Sequence, residues 1–168
     1  GHLIIKLNSL VDREMIKLLY RASQAGVKVD LLVRGMCGLR PGLPGVSENI
    51  RVVSVVGRFL EHSRIFYFRN GGQEEVYLGS ADLMPRNLDR RVEILFPVSL
   101  PRHVRHLRDD VLGVYLAGNV KARELRPDGT YTRLKPAAGD GLVYSQSALL
   151  MPRGVRENTT SVGGVGSS

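Results

Sequence analysis

The chain has 168 residues, enough for one full hydrophobic core and short for two. Lysine and arginine total 24 against 16 for aspartate and glutamate, and the balance of +8 selects anionic partners: nucleotides, polyphosphates, nucleic acid or anionic lipid. A lone cysteine, Cys37, excludes an internal disulfide framework, and no apolar run nears the roughly 20 residues that a membrane-spanning helix needs.

Those limits fit a reducing, cytoplasmic setting, with a membrane-peripheral one also compatible with the charge. The opening GHLIIKLNSL has no charged-then-apolar leader pattern, and Gly1 and His2 read as an appendage. Because the chain begins directly inside a strand pattern, it reads as a piece of something longer.

Leu3 to Leu7 is a short apolar strand. Ser9 followed by Asp12 resembles a capping box, with Asp in place of the usual Glu. Val11, Met15, Leu18, Leu19 and Ala22 then recur at helical spacing until Gly26. Val27 to Val33 reads as a buried strand, which makes a βαβ unit with parallel pairing. Residues 35–49 form a loop rich in glycine and proline, and Arg51 to Val56 is a third strand.

Ser63 to Phe68 and Glu75 to Leu78 form a hairpin across Asn70-Gly71-Gly72. An arginine-rich loop follows, then a strand over Arg91 to Phe96. A helix from about Pro101 carries Val104, Leu107, Val111 and Tyr115 on one stripe. Glu124 to Leu134 reads as a last hairpin around Pro127-Asp128-Gly129. Beyond Pro136 regular pattern fades, so residues 3–136 are expected to form the single α/β domain. Residues 137–168 are expected to be a largely irregular or disordered extension.

His62 leads the candidates for chemistry. Positions i and i+2 of a strand share a face, so His62 and Arg64 should point together and set a titratable nitrogen beside a fixed positive charge. That pair suits chemistry on phosphate. Of the nearby carboxylates, Glu61, Asp82, Asp89 and Glu93, we take Glu93 to orient the imidazole.

Arg34 stands where the buried run VDLLV ends, and in open α/β sheets ligands collect outside the carboxyl ends of strands. A guanidinium there can fork onto phosphate oxygens; the plainer alternative is a salt bridge closing the strand. Gly79-Ser80-Ala81 could set a hydroxyl and backbone N–H groups against an anion, or be an ordinary turn. No Cys/His spacing indicates a metal site, and no Walker-type phosphate loop occurs.

His62-x-Arg64 followed by Gly79-Ser80 resembles the H-x-K…G-S motif of the phospholipase-D superfamily, with arginine replacing lysine. The segments LNSLVDREMIKLLYRASQAGVKVDLLVRGMCGLRPG, RFLEHSRIFYF, VYLGSADLMPRNLDRRVE and KARELRPDGTYTRLKP are similar to the last catalytic domain of the long-chain bacterial polyphosphate kinases. The resemblance runs from Leu3 to about Pro136.

It implies a phospholipase-D-like mixed sheet flanked by helices. It also implies a parent enzyme that moves the terminal phosphate of ATP reversibly onto inorganic polyphosphate, releasing ADP and using magnesium. A phosphohistidine would form on the preceding domain, which with other upstream domains would be this chain's partner, and the magnesium ligands would lie outside it. By the same resemblance His62 is an acid/base group contacting nucleotide phosphates, and Arg34 and Arg91 bind phosphate.

Arg64 and Ser80 join the expected phosphate-binding set. Without its nucleophile the chain alone is expected not to make polymer. Two other readings stand beside this one. One is a phospholipase-D-type phosphodiesterase or nuclease working as a dimer. The other is a non-enzymatic polyanion-binding module, although nucleic acid is the less favoured partner.

Overall fold

The computed structural model describes residues 1–151. One mixed sheet of eight strands runs through it, in the order β6-β5-β4-β1-β2-β3-β7-β8. In chain order the elements are β1 (His2–Leu7), α1 (Arg13–Gln24), β2 (Lys28–Val33), β3 (Ile50–Val55), β4 (Arg64–Asn70) and β5 (Gln73–Gly79). Then come α2 (Pro85–Arg90), β6 (Leu95–Pro97), α3 (Pro101–Arg105), α4 (Gly113–Ala117), β7 (Ala122–Leu125), β8 (Tyr131–Arg133) and α5 (Ser145–Leu150). A π-helical stretch, His106–Leu112, joins α3 to α4 without a break. The phospholipase-D-like mixed sheet is the fold the resemblance implies.

The three central strands β1, β2 and β3 are parallel, and every other pairing is antiparallel. Strand alternation divides the core between the two faces. Ile5, Leu7, Leu31, Val33, Val52 and Phe66 pack with Leu19 of α1. Ile4, Leu32, Val53, Ile65, Tyr67 and Val76 pack with Val104, Leu112 and Tyr115 of the long helix. Central strands covered on both sides read as nearly unbroken apolar runs, as IIKL and VDLLV do.

The β4–β5 hairpin turns at Gly71 and Gly72, with φ of 58° and 87°. That is the left-handed backbone a two-residue hairpin demands and glycine supplies without strain.

Several boundaries differ from expectation. His2 belongs to β1, opposite Lys28 and Arg69, and its Nε2 lies 2.7 Å from Asp30 Oδ2. The helix cap is Asp12 alone, whose Oδ1 accepts from the Met15 N–H at 2.9 Å; Ser9 is buried three residues upstream. Asp12→Ala is expected to cost about 1 kcal/mol, read as a lower urea midpoint at unchanged slope.

The arginine-rich loop contains α2, started by Pro85 at its first turn, and the strand expected over Arg91 to Phe96 shrinks to Leu95–Pro97. On the long helix Val104, Leu112 and Tyr115 are buried, while Leu107 and Val111 are only partly so. The π-helical stretch shifts the register between them. Ser145–Leu150 is a short helix within the extension expected to be largely irregular; the expected disorder of the tail falls on residues 152–168, outside the described residues.

The register sets where a site can form. Lys6 of β1 pairs with Ile65, and Arg64 of β4 pairs with Gly79 of β5. The carboxyl ends of β1, β2 and β5 and the start of β4 therefore meet at one end of the sheet, with the start of β6 beside them.

Candidate functional site

Asp82 is the hub of that end. Its carboxylate is almost wholly buried and receives a two-pronged grip from Arg64, with Nε to Oδ1 at 3.2 Å and Nη2 to Oδ2 at 3.0 Å. Backbone N–H groups of Asn8 and Ser9 donate to Oδ1 at 2.7 and 3.2 Å. Burial alone would push this carboxyl up, but the Arg64 fork and the Asn8 and Ser9 N–H groups outweigh it and hold the pKa below the ordinary value. The β5 exit loop is thus locked onto the end of β1.

Arg64 carries the lock to His62. Its Nη1 lies 2.9 Å from His62 Nδ1 and donates to the His62 carbonyl at 2.9 Å. Guanidinium has no acceptor, so Nδ1 must accept, and the neutral ring then carries its proton on Nε2. His62 itself precedes β4 in the loop and is exposed.

These contacts correct two expectations. Glu93 does not orient the imidazole, because its carboxylate is bound by Ser80 and Asn87 (the latter at 2.7 Å), and Arg64 takes the orienting position. Arg64 has little left with which to hold phosphate, since Asp82 and His62 take four of its five N–H donors and its side chain is nearly buried.

Arg34 leaves the end of β2 with its Nε donating to Asn8 Oδ1 at 2.8 Å. Among the described residues no carboxylate pairs with it, so the strand-closing salt bridge is absent and no acceptor meets its terminal nitrogens. A continuous string of hydrogen bonds therefore runs Arg34–Asn8–Asp82–Arg64–His62.

Ser80 does not present its hydroxyl to an anion. Its Oγ donates to Glu93 and accepts from the Ile94 N–H at 3.0 Å, while its own N–H donates to Ile94 O at 3.0 Å. Those bonds draw Glu93 to the site. Hydrogen bonds from Ser80 and Asn87, then the charges of Arg91 and Arg64, hold its carboxyl below the usual range. Arg91 is exposed and shares with Glu93 the wall of an apolar recess of about 450 Å³ that Phe66, Tyr77 and Leu95 also line.

Beneath His62 lies a second polar cluster. Lys6, buried on β1, sits 3.0 Å from Glu61 Oε2 and donates to Ser63 Oγ at 2.9 Å. Glu61 accepts from the Tyr115 hydroxyl at 2.6 Å and from Gln146 Nε2 at 2.7 Å. Burial pushes Lys6 down and the Glu61 carboxylate pulls it back, while the charges of Arg64 and Arg34 add to the depression. Burial would raise Glu61, yet bonds from Tyr115, Gln146 and Lys6 bring it below the carboxylate norm.

Asn8 and Lys6 are the site residues that sequence reasoning missed. Asn8 follows β1 directly, and the rule that ligands gather at strand carboxyl ends, applied to β2, points equally to it. Lys6 carried no signal beyond being a charge in an apolar strand.

Magnesium finds no ready ligand set here. Among the described residues no three His, Cys, Asp or Glu side chains gather as a metal site, and Asp82 and Glu93 are taken up by protein donors. No helix among the described residues is long and apolar enough to cross a membrane.

Comparison with known proteins bears on this geometry. The chain is 55% identical over 159 residues to a polyphosphate kinase of Synechocystis sp., covering 95% of this chain and 22% of that one. It superposes on the crystal structure of polyphosphate kinase from Porphyromonas gingivalis with a TM-score of 0.84 at 44% identity, over 89% of this chain and 22% of that one. Nuc from Salmonella typhimurium, a phospholipase D family member, matches at a TM-score of 0.57 and 13% identity over 75% of this chain and 82% of its own, which shows a shared fold. The family described as polyphosphate kinase C-terminal domain 2 matches residues 1–146, and this chain belongs to it.

Proposed function

We propose that the chain is the C-terminal catalytic portion of a polyphosphate kinase, which passes the terminal phosphate of ATP reversibly to inorganic polyphosphate and releases ADP. The observation that carries this reading is the string from Arg34 to His62, which leaves guanidinium nitrogens with no partner among the described residues at one end and an exposed imidazole at the other. Phosphoryl transfer depends on positioning and on stabilising charge at the phosphoryl oxygens, and these groups supply both.

Arg34 forks onto phosphate oxygens, and Arg91 adds a second cation from the α2 exit. His62 donates its Nε2–H to a phosphate oxygen. It acts as a hydrogen-bond donor rather than an acid in this geometry, because a neutral ring giving up that proton would become an imidazolate. A phosphohistidine on an upstream domain, ATP with magnesium, and contact with that domain complete the proposal for the whole enzyme. The chain spans 22% of the curated relative from Synechocystis sp., and alone it is expected to bind phosphates without elongating polymer.

A phosphodiesterase reading has less support, since the residue in the lysine position of that motif is Arg64, nearly buried between Asp82 and His62.

Titration calorimetry tests the proposal. Arg34→Ala is expected to weaken tripolyphosphate binding about tenfold or more, as loss of a charge-assisted bond requires. Single-stranded DNA should bind more weakly than tripolyphosphate and be insensitive to the substitution. Equal affinity for tripolyphosphate, ATP and single-stranded DNA, unaffected by Arg34→Ala, would make the chain a general polyanion binder.

A further inference from the structure

We propose that Lys6 is a positioning residue for His62, gripping the residues on either side of the imidazole. The inference deepens the reading of His62 as a phosphate-contacting group and rests on it.

Lys6 shares a strand face with Ile4, which faces the core under the long helix. An aliphatic residue would occupy that position at less cost than an ammonium withdrawn from water. The ammonium instead meets three acceptors: Ser63 Oγ at 2.9 Å, the Ser63 carbonyl at 3.4 Å and Glu61 Oε2 at 3.0 Å. Three donors matched to three acceptors is the full capacity of a lysine. The Tyr115 ring, 4.9 Å away, covers the charge from below.

The acceptors are the point. Residues 56–63 belong to no strand or helix, so no ladder of backbone bonds fixes them, and Val56, Phe59 and Leu60 lie exposed. What fixes the segment is side chains. Gln146 of α5 donates to the Phe59 carbonyl at 2.8 Å, accepts from the Phe59 N–H at 3.1 Å, and binds Glu61. Lys6 holds residues 61 and 63. His62 lies between them, so both its flanking positions are pinned while its ring stays exposed to meet a ligand. Arg64 can meet Nδ1 only if that backbone stays in place.

The test uses this chain with Lys6→Met and Glu61→Gln combined, so that no unpaired charge is buried. Ser63→Ala, which keeps the ion pair, is the milder second variant. Thermal melts check folding, and nitrogen-15 spectra of the imidazoles, assigned by His62→Ala, report which ring nitrogen carries the proton. In both variants the single Nε2–H signature of His62 is expected to give way to an average of two tautomers. Tripolyphosphate affinity is expected to fall about three- to tenfold, the worth of one displaced hydrogen bond.

An unchanged His62 signature in the folded double variant overturns the proposal. Should that variant fail to fold, an unchanged signature in Ser63→Ala overturns it instead. His62→Ala separates this failure from that of the parent reading: unchanged tripolyphosphate affinity there removes phosphate contact, while the signature still reports on Lys6.

Discussion

His62→Ala in a polyphosphate kinase carrying this chain is expected to slow turnover about 10²–10³-fold, the usual result of deleting one preorganised donor at a developing charge. The KM for ATP should rise by less, about three- to tenfold, because one ground-state hydrogen bond is lost while the donor matters most when charge concentrates on the transferring oxygens. The substitution removes an exposed side chain from a loop, so melting should be nearly unchanged. His62→Gln should recover part of the loss, since its amide N–H can donate from a similar reach but cannot act as an acid. Steady-state kcat and KM of the three proteins decide the matter. Unchanged kcat in His62→Ala takes His62 out of the mechanism, and Gln no better than Ala would return the imidazole to proton transfer.

Asp82→Ala should have the largest effect on stability, about 3–5 kcal/mol, because it strands the nearly buried Arg64 without a counter-charge and orphans the Asn8 and Ser9 N–H groups. Asp82→Asn should cost less, since its carbonyl can still accept. The pH dependence has a definite sign. The folded Asp82 pKa lies below its ordinary 3.8, so between the two values the unfolded chain holds more protons. The stabilisation is full above the ordinary value and is lost as pH falls through the folded one. Glu61, also depressed, acts in the same direction. Urea midpoints measured from pH 6 downward should drop steeply for the native chain and more gently for Asp82→Asn. Parallel acid limbs would assign the loss to other carboxylates.

The legible parts of the molecule were those with a local period or a turn signal. The βαβ unit follows from apolar runs around α1, and the hairpin from two adjacent glycines with positive φ. The short helix α2 had no such signal, because within PRNLDR Leu88 is the sole apolar side chain and it is exposed. The helix SQSALL is too short to show a period.

At the site, His62 and Arg64 were readable as neighbours from their closeness in sequence, and they do touch, although His62 lies in the loop before β4 and the Arg64 side chain reaches back to it. What orients the imidazole was not readable. Glu93 lay close in sequence and carried the right charge, but Ser80 and Asn87 claim it within the connection that carries α2 from β5 to β6. Asp82 reaches Arg64 across 18 residues, a contact that only the strand register creates.

The π-helical winding at His106–Leu112 puts one more residue into each hydrogen-bonded ring than an α-helix does, as the Gly113 N–H reaching back to the Arg108 carbonyl shows. That surplus works like a shim. Trimming a single residue there would restore the α-helical coil and leave the turns on either side facing nearly as they do. The imidazole loop is thus gauged by a helix more than forty positions later in the chain, where the wider winding takes up one surplus residue and the Tyr115 phenol still meets the carboxylate of residue 61.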